Sequence, residues 1–327
     1  MRNNKYRSRG DVPMVSSPLS RRAFLRSATA GATAFATFGD WLAVAEANPL
    51  GLPIGLQLYT VRDQLQEDFD GTLKKVAAAG YQEVEMAGFY KRTPAEVRHS
   101  LDAAGLRCSS AHYPLVELMT GLDDKISYAK DLGLQYMICA FPWVADPSRF
   151  KTSSNNPMAQ AMALANGLTL DDWKWNAEQL NKIGEQTKKA GIQLGYHNHD
   201  LSFKKYHGVM GYDEILHRTN PKLVTLELDC GWMVLAGHSP AAYLRRYPTR
   251  YSMLHVKDEL RISRPTTSLA DASPTELGRG KIDYRPIFEA AKRANIKHYF
   301  VEQEAFPDVP PFEAIKIDCD YLRSLRV

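Results

Sequence analysis

A single (β/α)8 barrel is the fold class this 327-residue sequence predicts, and three observations point to it. Strand-like apolar runs alternate eight times with helical segments, and parallel strands need such crossovers. The alternating part spans about 275 residues, close to the ~250 of a typical barrel of this kind. No Gly-rich phosphate loop follows the first run, so an open dinucleotide-binding sheet lacks its signature.

In chain order, the strand-like runs are IGLQLY (54–59), QEVEMA (82–87), LRCSSAH (106–112) and QYMICAF (135–141). IQLGYHN (192–198), LVTLELD (223–229), YSMLHVK (251–257) and KHYFVEQE (297–304) follow. The helical segments between them include FDGTLKKVAAAG, where Leu73, Val76 and Ala77 share a face and Gly80 stops the helix. Others are TPAEVRHSLDAAG, DWKWNAEQLNKIGEQTKKAG, GYDEILHR, SPAAYLRRY, YRPIFEAAKRAN and PPFEAIKIDCDYLRSL. Thr93-Pro94 and Ser239-Pro240 read as N-caps with proline at the first helical position. The longest irregular stretches, about 142–169 and 259–281, both follow strands, on the side where barrels build their active face. No interdomain linker interrupts the pattern.

Residues 1–47 stand apart from this domain, which runs from 48 to 327. Ser20-Arg21-Arg22-Ala23-Phe24-Leu25 precedes an Ala-rich apolar stretch and a small-x-small end at Ala45-Glu46-Ala47. That order resembles a twin-arginine export signal, read by a translocon that passes folded proteins. The expectation is a periplasmic or other extracytoplasmic protein. The segment holds seven basic and three acidic residues, so the whole formal charge of +4 lies in it. The remainder is formally neutral, which removes the electrostatic argument for a nucleic-acid partner. Hydrophobic content of 44% and charged content of 24% fit a packed core. Cys108, Cys139, Cys230 and Cys319 show no CxxC pairing, and no disulfide is expected.

Polar residues gather at the strand ends. Glu85 lies on strand 2 and His112 ends strand 3. His197, Asn198 and His199 end strand 5. Glu227 and Asp229 share a face of strand 6. His255 and Lys257 end strand 7, and Glu302 and Glu304 end strand 8. Imidazoles and carboxylates in one barrel mouth are costly to desolvate without a neutralising partner, and a divalent cation suits that donor set.

IGLQLYTVRD, GYQEVE, SSAHYPL, GYHNHDLSF, LELDCGWM, HVKD, GRGKIDY and VEQE, in that order, resemble the sugar phosphate isomerase/epimerase superfamily of xylose isomerase-like barrels. The likeness covers roughly residues 52–325. It implies one divalent ion (Mn, Zn, Mg, Co or Fe) held by Asp229, His255, Glu302 and a strand-5 residue. Where the family places a glutamate on strand 5, this chain has His197, with His199 on the same face as the other candidate. The resemblance implies a small carbohydrate substrate and proton abstraction next to a carbonyl through a metal-stabilised enediolate. Glu302, Lys257 and His199 are then the candidate catalytic groups, and His112, Asn198, Arg279 and Glu304 the candidate substrate contacts. Trp232 and Phe89 are candidates for stacking on a sugar face, and Glu85 for a structural pair with a lysine. The expected enzyme is sugar isomerase/epimerase-like; with one matched carboxylate, one-base chemistry is open beside two-sided epimerisation: aldose–ketose isomerisation, dehydration of a keto-sugar, or elimination at a 3-keto-glycoside. A keto-glycoside lyase or hydrolase and a non-catalytic sugar-binding barrel are the alternatives. Homo-oligomer formation stays open.

Overall fold

The computed structural model describes residues 48–149 and 167–327; the signal-like segment and much of the loop after strand 4 lie outside the described residues. Eight parallel strands close into a barrel: β1 (Gly55–Gln57), β2 (Glu83–Met86), β3 (Arg107–Pro114), β4 (Tyr136–Phe141), β5 (Gln193–His197), β6 (Val224–Asp229), β7 (Tyr251–Val256) and β8 (His298–Val301). Each pairs with the next in sequence, and β8 returns to β1. The connecting helices are α1 (Phe69–Ala79), α2 (Pro94–Ala104), α3 (Leu122–Leu132), α4 (Leu170–Lys189), α5 (Gly211–Arg218), α6 (Pro240–Arg246) and α7 (Arg285–Ala294). A last helix, α8 (Pro311–Ser324), follows β8.

Local chemistry sets the helix boundaries. Thr93 and Glu96 form a reciprocal capping box that opens α2, with Pro94 inside it. Thr169 and Asp172 do the same for α4. Gly80 ends α1 at φ 110°, in the left-handed region that favours glycine. The sequence patterns name no helix between strands 3 and 4, yet α3 forms there. Its N-cap is Gly121, without a capping side chain, and it buries only Ala129 and Leu132, so its apolar stripe is faint. Strand 1 is shorter than its apolar run. Gln57 Oε1 accepts from the Tyr59 backbone N–H at 3.0 Å and turns the chain into a 3-10 turn, Leu58–Val61.

Ile138, Met253 and Phe300, all fully buried, form an apolar cluster apart from the main core. Gly55 and Gly195 make room beside it. A Cβ on Gly55 would lie 2.4 Å from the Phe300 ring, and one on Gly195 would lie 2.5 Å from Ile138 Cδ1. Two residues further along the same strands stand Gln57, His197, His255 and Glu302, so the alternation of a strand carries the chain from apolar packing into the polar mouth. The four cysteines are free thiols. Among the described residues, no helix is long and apolar enough to cross a membrane.

Candidate metal centre

The strand ends deliver five carboxylates to one buried cluster: Glu85, Glu227, Asp229, Glu302 and Glu304. The first three are fully buried, Glu302 is nearly so, and Glu304 is partly open. Three imidazoles and one ammonium stand against them. In the lower tier, His112 Nε2 lies 2.8 Å from both Glu85 Oε1 and Glu227 Oε2. Gln57 donates to Glu85 at 2.7 Å. His255 Nε2 reaches Glu85 Oε1 at 2.8 Å, and His197 Nδ1 reaches Glu227 Oε2 at 3.0 Å. The opposite ring nitrogens face the upper tier: His255 Nδ1 is 3.2 Å from Glu302 Oε2, and His197 Nε2 is 3.9 Å from Asp229 Oδ2.

Lys257 closes the upper tier. Its ammonium sits 2.9 Å from Asp229 Oδ2 and 2.8 Å from Glu302 Oε2, and it also pairs with Glu304. Its stem passes over Gly231, where a Cβ would come within 2.2 Å of Lys257 Cγ. The ammonium lies 4.8 Å from the Trp232 ring centroid, a cation–π distance.

The electrostatics follow from these contacts. Burial opposes charge on His112, but Glu85 and Glu227 outweigh it and raise its pKa to about 9. Burial and the charge of Glu85 push Glu227 up to about 7. Glu85 goes the other way: burial disfavours its charge, yet His112 and His255 hold it below the usual carboxylate range. Of this close acid pair, Glu85 keeps the charge and Glu227 is the readier to take a proton. Burial also opposes charge on Glu302, but Lys257 and His255 keep it ionised. Glu304 rises to about 7 through burial, against the pull of Lys257. Burial and the neighbouring cationic groups keep His197 neutral. Burial lowers His199 to about 3.

These residues fit a divalent ion. One ligand atom from each of His197, Asp229, His255 and Glu302 falls within 4.8 Å of all the others, and all four residues are buried. His197 Nε2 is buried with no hydrogen-bond partner, an expensive state for a ring nitrogen unless it serves as a ligand. A second convergent set, His112, His197, Glu227 and His255, shares two members with the first and lies in the lower tier.

The other sequence candidates take distinct places. His199 stacks on Phe141 at 4.4 Å and lies 4.7 Å from the His197 ring, with its Nδ1 buried and unpartnered. Both amide ends of Asn198 face the Asp229 backbone, at 3.0 and 3.1 Å, so this side chain clamps strand β6. Arg279 pairs with Glu276 at 3.1 Å on the loop after β7. Glu85 pairs with His112 and His255 rather than with a lysine, because the inward faces of β3 and β7 carry imidazoles at its level. Trp232 is 2% exposed and lies beneath the Lys257 ammonium, so it packs the site instead of offering a sugar platform. Phe89 packs against Tyr113 and Tyr128. Sequence reasoning missed Gln57 and Phe141. Both end strand segments, and that position was the one signal available for them.

A closed parallel barrel with imidazoles and carboxylates converging at its C-terminal mouth defines the class: a (β/α)8 barrel with a candidate metal site at its active face. Within that class, residues 73–325 match the xylose isomerase-like TIM barrel family, and the chain belongs to it. The chain is 25% identical over 283 residues to an inosose dehydratase of Clostridium beijerinckii, covering 80% of this chain and 91% of the relative. A sugar phosphate isomerase/epimerase structure from Parabacteroides distasonis superimposes with a TM-score of 0.63 at 27% identity, over 83% of this chain and 94% of that one. The IOLI protein with a bound zinc atom shares the fold, with a TM-score of 0.61 at 13% identity, over 82% and 96% of the two chains.

Proposed function

We propose that this chain is a divalent-metal-dependent enzyme that removes the proton next to the carbonyl of a keto-sugar or keto-cyclitol and then expels a neighbouring hydroxyl as water. The observation that carries this reading is the donor set at the mouth. Strand β5 contributes a neutral imidazole, His197, where two-sided epimerisation would need a second carboxylate base. A divalent ion held by His197, Asp229, His255 and Glu302 would supply positive charge beside a carbonyl oxygen and acidify the adjacent C–H.

The chain's own groups divide the proton work. Glu302 is ionised and accepts the proton from carbon. The C=C bond forms as the C–O bond of the neighbouring carbon breaks. The departing hydroxide takes a proton from Glu304, whose pKa of about 7 lets it hold one at neutral pH. Lys257 bridges Glu302 and Glu304 and keeps the two carboxylates from repelling each other. The name of the Clostridium beijerinckii relative supports dehydration of a keto-cyclitol, and the zinc of the IOLI protein supports the metal. The Parabacteroides distasonis structure's name favours isomerisation, in which the proton returns to carbon and no water leaves.

One experiment separates these. The Mn²⁺-loaded protein is incubated in D₂O with a keto-inositol and with a 3-keto-glucoside, and enone absorbance and deuterium at the α-carbon are followed. Dehydration gives the enone. Deuterium wash-in without enone points to isomerisation. Ligand binding with neither signal leaves a sugar-binding barrel. We also propose that residues 1–47 direct export by the twin-arginine route. Retention in the cytoplasm of an Arg21→Lys/Arg22→Lys variant, by cell fractionation, tests this.

A further inference from the structure

Glu227 has no role in the chemistry above, yet it is fully buried and directly opposite His197 in the β5–β6 register. Its Oε2 stands 3.0 Å from His197 Nδ1 and 2.8 Å from His112 Nε2. An Nδ1–H of His197 has this oxygen as its acceptor, whereas an Nε2–H would have none within hydrogen-bond distance, so the geometry places the ring proton on Nδ1. A neutral imidazole that donates from Nδ1 keeps its lone pair on Nε2. In His197 that Nε2 is buried, has no hydrogen-bond partner, and faces Asp229 Oδ2 at 3.9 Å.

We propose that Glu227 is a positioning residue that fixes His197 in the Nδ1–H form and so aims its Nε2 at the upper ligand set. The need comes with an imidazole at this place. A carboxylate ligand binds through either oxygen, but an imidazole offers one nitrogen only when its proton is parked on the other. The same placement takes His197 out of the lower set, since a ring holding its proton on Nδ1 cannot also ligate through it. His255 repeats the arrangement on the far side of the mouth, with Nε2 on Glu85 and Nδ1 toward Glu302.

This inference rests on the metal-dependent reading above, and the test keeps the two apart. Long-range proton–nitrogen correlation spectra of the metal-free protein, with the His197 signal assigned by its loss in His197→Asn, report the ring form directly. The expected result is Nδ1–H in the wild type and a mixture of ring forms in Glu227→Gln, whose amide can donate as well as accept. Calorimetric titration with Zn²⁺ should give one equivalent in both proteins, with affinity about 10–100-fold weaker in the variant, as for other groups that orient a metal-bound histidine. Nε2–H in the wild type, or unchanged zinc affinity in Glu227→Gln, overturns the assignment and leaves the functional reading standing. Two equivalents in the wild type, falling to one in the variant, overturn it by making Glu227 a ligand. A wild type that binds no Zn²⁺ removes both.

Discussion

Two buried acidic clusters in this barrel solve the same problem by different means. At the mouth, Asp229, Glu302 and Glu304 surround one ammonium, and imidazole nitrogens converge with their oxygens. Around the loop after β7, Asp258, Glu276 and Asp318 are also buried; Glu276 pairs with Arg279, while Asp258 and Asp318 accept from backbone amides. Asp258 accepts from the N–H groups of Gly278, Gly280, Ile282 and Glu259, at 2.9–3.0 Å. Gly280 permits this, since a Cβ there would lie 2.1 Å from Asp258 Oδ1. Asp318, on α8, accepts from Leu277 N–H at 2.6 Å. Among the described residues, both convergent ligand sets lie at the mouth. Acidity alone therefore does not make a cation site. The mouth directs side-chain lone pairs at one point, whereas the loop directs peptide dipoles at Asp258 and Asp318 and so holds its own shape.

The largest expected difference between the clusters is in turnover. Glu302→Gln should lower the rate on a keto-sugar or keto-cyclitol substrate about 10²–10⁴-fold, the usual contribution of a general base, with a circular dichroism spectrum like the wild type's. An Asp258→Ala protein that folds should keep most of its turnover. Equal losses in the two variants, measured by initial rates, would show that both clusters serve turnover alike.

Lys257→Met tests what the ammonium does for the mouth. Removing one partner from a buried charge cluster costs about 3–5 kcal/mol, and a loss of that size is expected in urea unfolding of the metal-free protein. Added Mn²⁺ should then raise the midpoint more in the variant than in the wild type, because ion and ammonium compete for Asp229 Oδ2 and Glu302 Oε2. A smaller metal effect in the variant would mean that the ammonium helps the ion to bind. Asp258→Ala should cost about 2–6 kcal/mol, at about 1–3 kcal/mol for each of the two fully buried N–H groups left unpaired, those of Glu259 and Ile282, and added metal should recover none of it.

The same contrast explains what was legible in the sequence. Alternation along β5 to β8 placed His197, Asp229, His255 and Glu302 on inward faces, because a period of two is visible in any strand. Their meeting point was inferred from order and type, since closure of the barrel puts residues such as Glu85 and His255, 170 positions apart, into contact. The lower tier was less readable. Glu85, His112 and Glu227 could be listed as polar strand ends, but nothing local says that two carboxylates share three imidazoles. The Asp258 anchor was invisible for a different reason: its partners are backbone amides, and a backbone amide has no letter in the sequence. Faint helix α3, with Gly121 at its N-cap, lacked a signal of the same kind.

The smallest and most specific effect concerns Asp318. Burial is the main cause that raises its pKa to about 8; the Leu277 amide opposes the rise, while Glu276 and Asp258 add to it. In the unfolded chain an aspartate titrates near 3.9. Between those two values the folded state holds a proton that the unfolded state has released, so stability falls as pH rises through this window and levels off above about 8. The substitution Asp318→Asn keeps an acceptor for the Leu277 amide and removes the charge at every pH. The variant should therefore match the wild type near pH 4 and become the more stable of the two as pH climbs toward 8. Denaturant midpoints taken across that range measure the gap directly. Parallel curves for the two proteins would show that Asp318 is charged at neutral pH, with Arg279 beside Glu276 as the compensating cation.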